Sequence, residues 1–492
     1  MSRTIIVAAT PTPNGDLHLG HMAGPYLAGD VYARYLRSTG QSVIYTTCTD
    51  DSQTYVVTSA HRLGTTPEDL CAASTKAIQH SLDSMGISMS PLPPIDDNYR
   101  RSVLDFVTAL HRQGKLRTRT VRLPFATRAG TYLYDGLVSG TCPVCLAGSS
   151  GGACEGCGHP NNFDELLNPR STLDPTDPVT YREQTILVLP MEAYRDRLTA
   201  YFADRKGWRP HGRQLIEELL ARPLPDAPVT IPGTWGIPAP FAETPGQVLY
   251  PWIEAMPAVM YSTSSAEPTN RYDDHWRAGQ GTRLVYFHGY DNVYHWGLMD
   301  LVTLMAHGDR YVTPAGNVCN EFYDLADDKF STSRNHLIHA VDLLAGIPRD
   351  LVRFHLALTA PELQRTNFTT EALRRVVTRR LVEPWNELAS LVSEHSLTAV
   401  GQRKAEAMTE RFRACYELPA FSMSRAADTV VTQLARLVAE ARTAPEDLLP
   451  QVRALLAGAA PILIDATADL DVRTATRLPR LPAVDQLVGA AR

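Results

Sequence analysis

The chain has 492 residues, with 47 Lys+Arg against 53 Asp+Glu, a formal charge of −6 and 44% hydrophobic residues. Its length predicts roughly two to four domains, and its acidic balance excludes a protein coated in nucleic acid while leaving room for a local basic surface. No apolar run approaches the ~18 to 20 residues of a membrane helix, the first residues lack a secretory pattern, and the eight cysteines do not form a spaced disulfide framework, so no membrane partner and a cytoplasmic location are expected.

Residues 4–9, Thr-Ile-Ile-Val-Ala-Ala, are β-branched and apolar and predict a strand. The punctuated turn Thr10-Pro11-Thr12-Pro13-Asn14-Gly15 follows, and then a helical pattern through about Ser38. A second apolar run, Ser42 to Thr47, leads to Asp50-Asp51 and a helix-like stretch from Tyr55 to Arg62. This rhythm predicts an α/β fold with a Rossmann-type, doubly wound parallel sheet, in which ligands bind at the carboxyl ends of the strands. Pro11 to His21 and Asp50 to Gln53 fall at such ends. Residues 1–116 therefore read as the first half of the sheet domain. Residues 117–225, with many prolines and a Gly/Cys-rich patch, read as an insert, and 226–325 as the second half, with strand candidates at Val248–Tyr250, Arg283–His288 and Tyr311–Ala315. A loop region at 326–366 precedes amphipathic helices over 367–492, which predict an all-α C-terminal domain.

Three clusters could carry chemistry. His18-Leu19-Gly20-His21 places two imidazoles about one helical turn apart after a strand-end turn, where they can donate to phosphate oxygens and Gly20 admits a nucleotide close to the backbone; two solvent-facing or metal-binding histidines are the alternative. Lys329-Phe330-Ser331-Thr332-Ser333-Arg334 is a basic, hydroxyl-rich loop able to clamp phosphates as charge builds on departing pyrophosphate, or else an ordinary surface turn. Cys142-Pro-Val-Cys145 and Cys154-Glu-Gly-Cys157 are paired knuckles that can present four thiolates to one structural Zn²⁺, with redox thiols as the rival reading; His159 would be a fifth ligand and is left out.

Together these motifs resemble the class I aminoacyl-tRNA synthetases, and within them the methionyl-tRNA synthetase family, over roughly residues 4–390. The resemblance implies amino-acid activation by ATP with Mg²⁺, then transfer of the acyl group to tRNA. It implies that His18, Gly20, His21, Lys329, Ser331 and Thr332 serve the ATP phosphates, and that Asp51 pairs with the substrate's α-ammonium. Gly289 and Asp291, in Phe-His-Gly-Tyr-Asp, would hold the ATP ribose. Thr10, Trp252, Val259, Trp296 and Met299 would line the pocket for the amino acid, methionine or a relative. The segments 117–225, 326–366 and 367–492 would be the connective insert with its zinc knuckle, the signature-loop and stem-contact region, and an anticodon-binding-like helical domain. A monomer is expected.

The chain departs from the family pattern at several points. Thr332 stands where a second loop lysine is usual, with Arg334 nearby. Val259, Trp296, Met299 and Thr10 alter the pocket in volume and polarity. Residues 386–492 contain no Trp, and the only Pro-Trp pair near the helical region is Pro384-Trp385, whereas the family stacks an anticodon base on a later Trp. Two further readings therefore stand beside a methionine–tRNA ligase: a tRNA-independent adenylate-forming ligase, and a non-catalytic nucleotide- or tRNA-binding regulator.

Overall fold

A computed structural model describes residues 3–203, 208–329, 337–392 and 398–484. These form two compact units, the first built from residues 1–16, 42–79 and 89–320, the second from 17–41, 80–88 and 321–492. Among the described residues no helix is long and apolar enough to cross a membrane.

In the first unit, strand β1 (Arg3–Ala8) is buried on both faces from Thr4 onward, as a continuous apolar run in a covered parallel strand must be. It is joined by β2 (Ser42–Thr46), β3 (Thr282–Gly289) and β4 (Gly316–Asn320) in a sheet of order β4-β3-β1-β2. Every pair is parallel, and Val7 stands between Thr46 on β2 and Tyr286 on β3. Successive strands thus lie on opposite sides of β1, and the loops that leave the carboxyl ends of β1 and β3 part at that switch point.

Helix α1 (Thr54–Leu63) ends at Gly64, whose φ of 67° supplies the left-handed residue that closes a helix. Helix α2 (Asp97–Arg112) starts where the Asp96 carboxylate accepts from the amides of Asn98 and Tyr99. Helix α3 (Ala255–Ala266) follows the turn Pro251–Glu254, and α4 (Asp300–Ala306) continues a widened π-helical turn over Val293–Met299. Trp276, Tyr286, Trp296 and Phe106 fill the core between these elements.

Two strand expectations need correction. Pro314 has no amide to give a ladder, so the strand begins only at Gly316, and Tyr311 makes a single bridge to Arg277 instead. Val248–Leu249 is a strand, but it pairs antiparallel with Thr230–Ile231 in a separate ribbon. The chain between β2 and β3 also contains a long antiparallel pair, Arg117–Ala126 with Val179–Pro190.

The second unit is largely helical, with helices Leu27–Ser38, Arg349–Leu358, Ala399–Tyr416, Met423–Ala441 and Leu448–Ala459 among its elements. At its centre Arg353 and Asp30, both fully buried, form an ion pair of 2.7 Å. Arg34 Nε and the Ser88 amide and hydroxyl also donate to Asp30, and Arg353 donates to the carbonyls of Met85, Pro461 and Ile462. These contacts outweigh burial and hold the Asp30 pKa below its usual value.

Candidate active site

The first unit gathers chemistry at the carboxyl end of β1. The Asp50 amide donates to the Pro11 carbonyl (3.1 Å), and Thr47 Oγ1 donates to the Ala8 carbonyl (2.8 Å), so the loops after β1 and β2 are tied together. Thr10 is half-buried in the first loop, and Asp51 is half-buried in the second, where its carbonyl accepts from Trp235 Nε1 (2.8 Å). Burial raises the Asp51 carboxyl above its usual pKa, opposed by Thr49 and Cys71 and by Arg100. Burial raises Asp50 further, to about 8.

A third carboxylate belongs to this turn. Glu254, 2% exposed at the start of α3, accepts through Oε2 from Ser52 Oγ (3.0 Å) and Tyr99 Oη (3.3 Å), while Oε1 has no partner. Burial and the neighbouring Asp50 push its pKa up to about 8. Deeper in the core, Asp300 opens α4 with 1% exposure and no hydrogen bond to either oxygen; burial and Asp50 raise it well above the carboxylate range.

Trp252 stacks on His295, with ring centroids 3.5 Å apart and planes 4° from parallel. The insert closes over this stack at Gly152, whose φ of 82° suits glycine; a Cβ there would lie 3.1 Å from Asp135 Oδ1 and 3.5 Å from Trp252 Nε1. Asp135 accepts from Tyr250 Oη at 2.7 Å, and burial pushes its pKa up to about 7. Val259, Trp296 and Met299 lie in the same buried core, Trp296 edge-on to Tyr286, and partly buried Trp252 packs against that core.

On the other side of the switch point, Gly289 ends β3 and Asp291 follows it. A Cβ on Gly289 would sit 2.6 Å from Asp291 Oδ1, so the carboxylate's position depends on the glycine. Tyr290 between them stacks on His211 (3.7 Å) and donates to the Cys157 carbonyl (3.2 Å), which ties the turn to the cysteine knuckle.

The four cysteines converge, with all Sγ atoms within 4.8 Å of one another and the cross-knuckle pairs Cys142–Cys157 and Cys145–Cys154 at 3.8 and 3.6 Å. A tetrahedron of thiolates with Zn–S bonds of ~2.3 Å has edges of about 3.8 Å, so the set fits one Zn²⁺. His159 turns its Nδ1 to the Cys157 carbonyl instead.

The histidine motif belongs to the second unit. His18, half-buried, stacks on exposed His21 with centroids 3.8 Å apart, and the Leu19 amide donates to Ile338. Half-buried Gly20 lies between them in the short helix Leu19–His21. Lys329 ends a short strand paired with Asp324, and Ser331 and Thr332 lie outside the described residues.

A family model described as tRNA synthetases class I (M) matches residues 4–393. The chain belongs to that family. This class I synthetase is 32% identical to the methionine–tRNA ligase of Porphyromonas gingivalis over 372 residues, which cover 75% of this chain and 54% of that protein. It is 31% identical to the methionine–tRNA ligase of Roseiflexus sp. over 407 residues, covering 79% and 68%. The chain spans about half the length of relatives such as the Porphyromonas protein. Its fold matches a crystal structure of Mycobacterium tuberculosis methionyl-tRNA synthetase bound by methionyl-adenylate, with a TM-score of 0.73 at 17% identity over 98% of this chain and 99% of that one.

Sequence reasoning passed over Asp135, Glu254, His295 and Asp300. A signal existed for Asp300, a lone charge inside the apolar run Leu298-Met299-Asp300-Leu301-Val302. Glu254 and His295 offered only single polar residues among aromatics.

Proposed function

We propose that the protein is an ATP-dependent amino-acid ligase of the methionine–tRNA ligase type. It joins the amino-acid carboxylate to the α-phosphate of ATP, releases pyrophosphate, and passes the acyl group of the adenylate to the terminal ribose of tRNA. The observation that carries this reading is the carboxylate turn Asp50-Asp51 beside the Pro11 loop, at the switch point of a parallel sheet in a chain of this family.

In this reading Asp51 pairs with the α-ammonium: the arriving cation favours the ionised carboxyl that burial disfavours, and the charge-assisted bond holds the substrate carboxylate in line for attack. Asp291 accepts from the ribose hydroxyls, with Gly289 giving it room. His18, Gly20, His21, Lys329, Ser331 and Thr332 serve the phosphates together with Mg²⁺, and stabilise charge on the departing pyrophosphate. Thr10, Trp252, Val259, Trp296 and Met299 shape the amino-acid pocket. Cys142, Cys145, Cys154 and Cys157 hold a structural Zn²⁺, and Tyr290 carries its order to the ribose turn. Amino-acid-dependent ATP–pyrophosphate exchange tests the reading: exchange in the wild type and a loss of about 10² to 10³-fold in kcat for His21→Ala with the fold intact are expected. No exchange with any amino acid would overturn it.

One observation favours a second reading, transfer to an acceptor other than tRNA. Trp385, the last tryptophan of the chain, is fully buried and donates its Nε1 to the Pro479 carbonyl (2.7 Å), so it offers no face to a base. Acylation of total tRNA by the purified protein separates the two acceptors.

A further inference from the structure

The first unit buries more carboxyl groups near its candidate amino-acid site than one α-ammonium can pair with. Asp50, Asp51 and Glu254 sit around a single turn, where Ser52 donates to Glu254 at 3.0 Å, and Asp300 opens α4 directly after the π-helical turn that carries His295 and Trp296. Among the described residues, none of Asp50, Glu254 and Asp300 forms an ion pair, and the one cation that bears on Asp51 is Arg100, an exposed residue bonded to Asp97. Asp300 is the most extreme of the four. Both its oxygens are buried without a donor, an arrangement that natural cores avoid unless something completes it.

Three occupants could complete it. A divalent metal would need several oxygens around one point, but among the described residues the only group of three or more ligating side chains close enough for one ion is the cysteine set. A thioether or alkyl side chain would leave Asp300 and Glu254 Oε1 as unmatched as they are without it. An extended ligand with two separated ammonium groups matches carboxylates that are dispersed rather than convergent. The π-helical turn presents Asp300 on the same side as Trp296, four residues before it, and five residues after His295. His295 is itself buried with both ring nitrogens unpartnered, and burial holds it neutral, with a pKa pushed down to about 3, so it can accept from an ammonium.

We propose that the amino acid activated here is a diamino acid, its α-ammonium held at Asp51 and its side-chain ammonium held by Asp300 with the neutral His295 one helical turn before it. The inference rests on the adenylating reading above and assigns its substrate class. The thioether of methionine gives these groups nothing to bond.

The test is ATP–pyrophosphate exchange by the full chain with L-lysine, L-ornithine and L-2,4-diaminobutyrate against L-methionine and L-norleucine, the last being lysine's chain without the amine. A site built around a polar group rejects analogues lacking it by large factors, and a preference of at least about 10²-fold in kcat/KM for one diamino acid is expected. Asp300→Asn should abolish that preference while the KM for ATP moves less than about twofold. The free variant should melt close to wild type, because a neutral amide takes the place of a carboxyl that burial already keeps protonated, and the diamino acid should raise the melting temperature of wild type only. Exchange driven by methionine or norleucine and unaffected by Asp300→Asn would overturn the inference and leave the adenylating reading standing. Absence of exchange with every amino acid would overturn both.

Discussion

Trp252 and His295 lie face to face, and the insert residue Gly152 closes on both rings. Stacked pairs of this kind contribute about 0.5 to 1.5 kcal/mol beyond the area they bury. His295→Ala is therefore expected to raise the KM for the amino acid by up to about tenfold, with the KM for ATP within about twofold. His295→Phe keeps the stack and removes the ring nitrogens, so the comparison of the two in exchange kinetics separates packing from hydrogen bonding.

The buried carboxyls set a pH dependence. Asp50 and Glu254 titrate at about 8 and Asp135 at about 7 in the folded chain, against about 4 in an unfolded one. Between those limits the folded chain holds protons that the unfolded chain has released, so the stability of the free protein falls as pH rises. Asp30, whose pKa is lowered, acts in the opposite sense only in more acidic solution. Melting temperatures should decline from pH 5 to pH 9, and less steeply in Glu254→Gln. A flat or rising profile would refute the assignment.

Zinc and nucleotide should be coupled through the Tyr290–Cys157 contact. Cys145→Ser is expected to lower bound zinc from one ion per chain and to raise the KM for ATP, while Tyr290→Phe raises the KM for ATP with zinc retained. Metal content by mass spectrometry alongside exchange kinetics reads both.

Gly289→Ala places a methyl 2.6 Å from Asp291 Oδ1, too close for both to keep their positions. The carboxylate is the far end of a flexible side chain and can swing away from the methyl, giving up its contact with Asn292, so the fold is expected to survive and ribose binding to suffer. The expected result is an unchanged melting temperature with a rise of at least about tenfold in the KM for ATP, as for a lost hydrogen bond to a charged group.

Arg353→Met removes the fully buried guanidinium that faces Asp30. Leaving a buried charge without its main partner costs about 3 to 5 kcal/mol, eased here by Arg34 and Ser88. Chemical denaturation should show a loss near the lower end of that range.

The α/β class, the first two strands, the paired knuckles and the helical C-terminal region were legible in the sequence, because each is written in local periodicity or spacing. β1 is a continuous β-branched run, and the CxxC turns need only their own few residues to form. Tyr311–Ala315 misled because its apolar pattern resembles a strand, whereas Pro314 denies it a ladder. Asp300 and Glu254 were illegible for a different reason. Whether a single acid in an apolar run is a solvated edge or a buried charge depends on which helix turns it inward, and that is decided by chain far away in sequence.

The Asp30–Arg353 pair also fixes when the second unit can be finished during synthesis. One partner leaves the ribosome early, the other more than three hundred residues later, and the carbonyls of Pro461 and Ile462 that complete the guanidinium's shell come later still. Contacts of such separation close slowly and only after the intervening chain exists. The segment 17–41, with its two stacked histidines, therefore waits through nearly the whole of translation for the partners that bury it. A nascent chain arrested before residue 349 would carry the paired histidines without the framework that holds them.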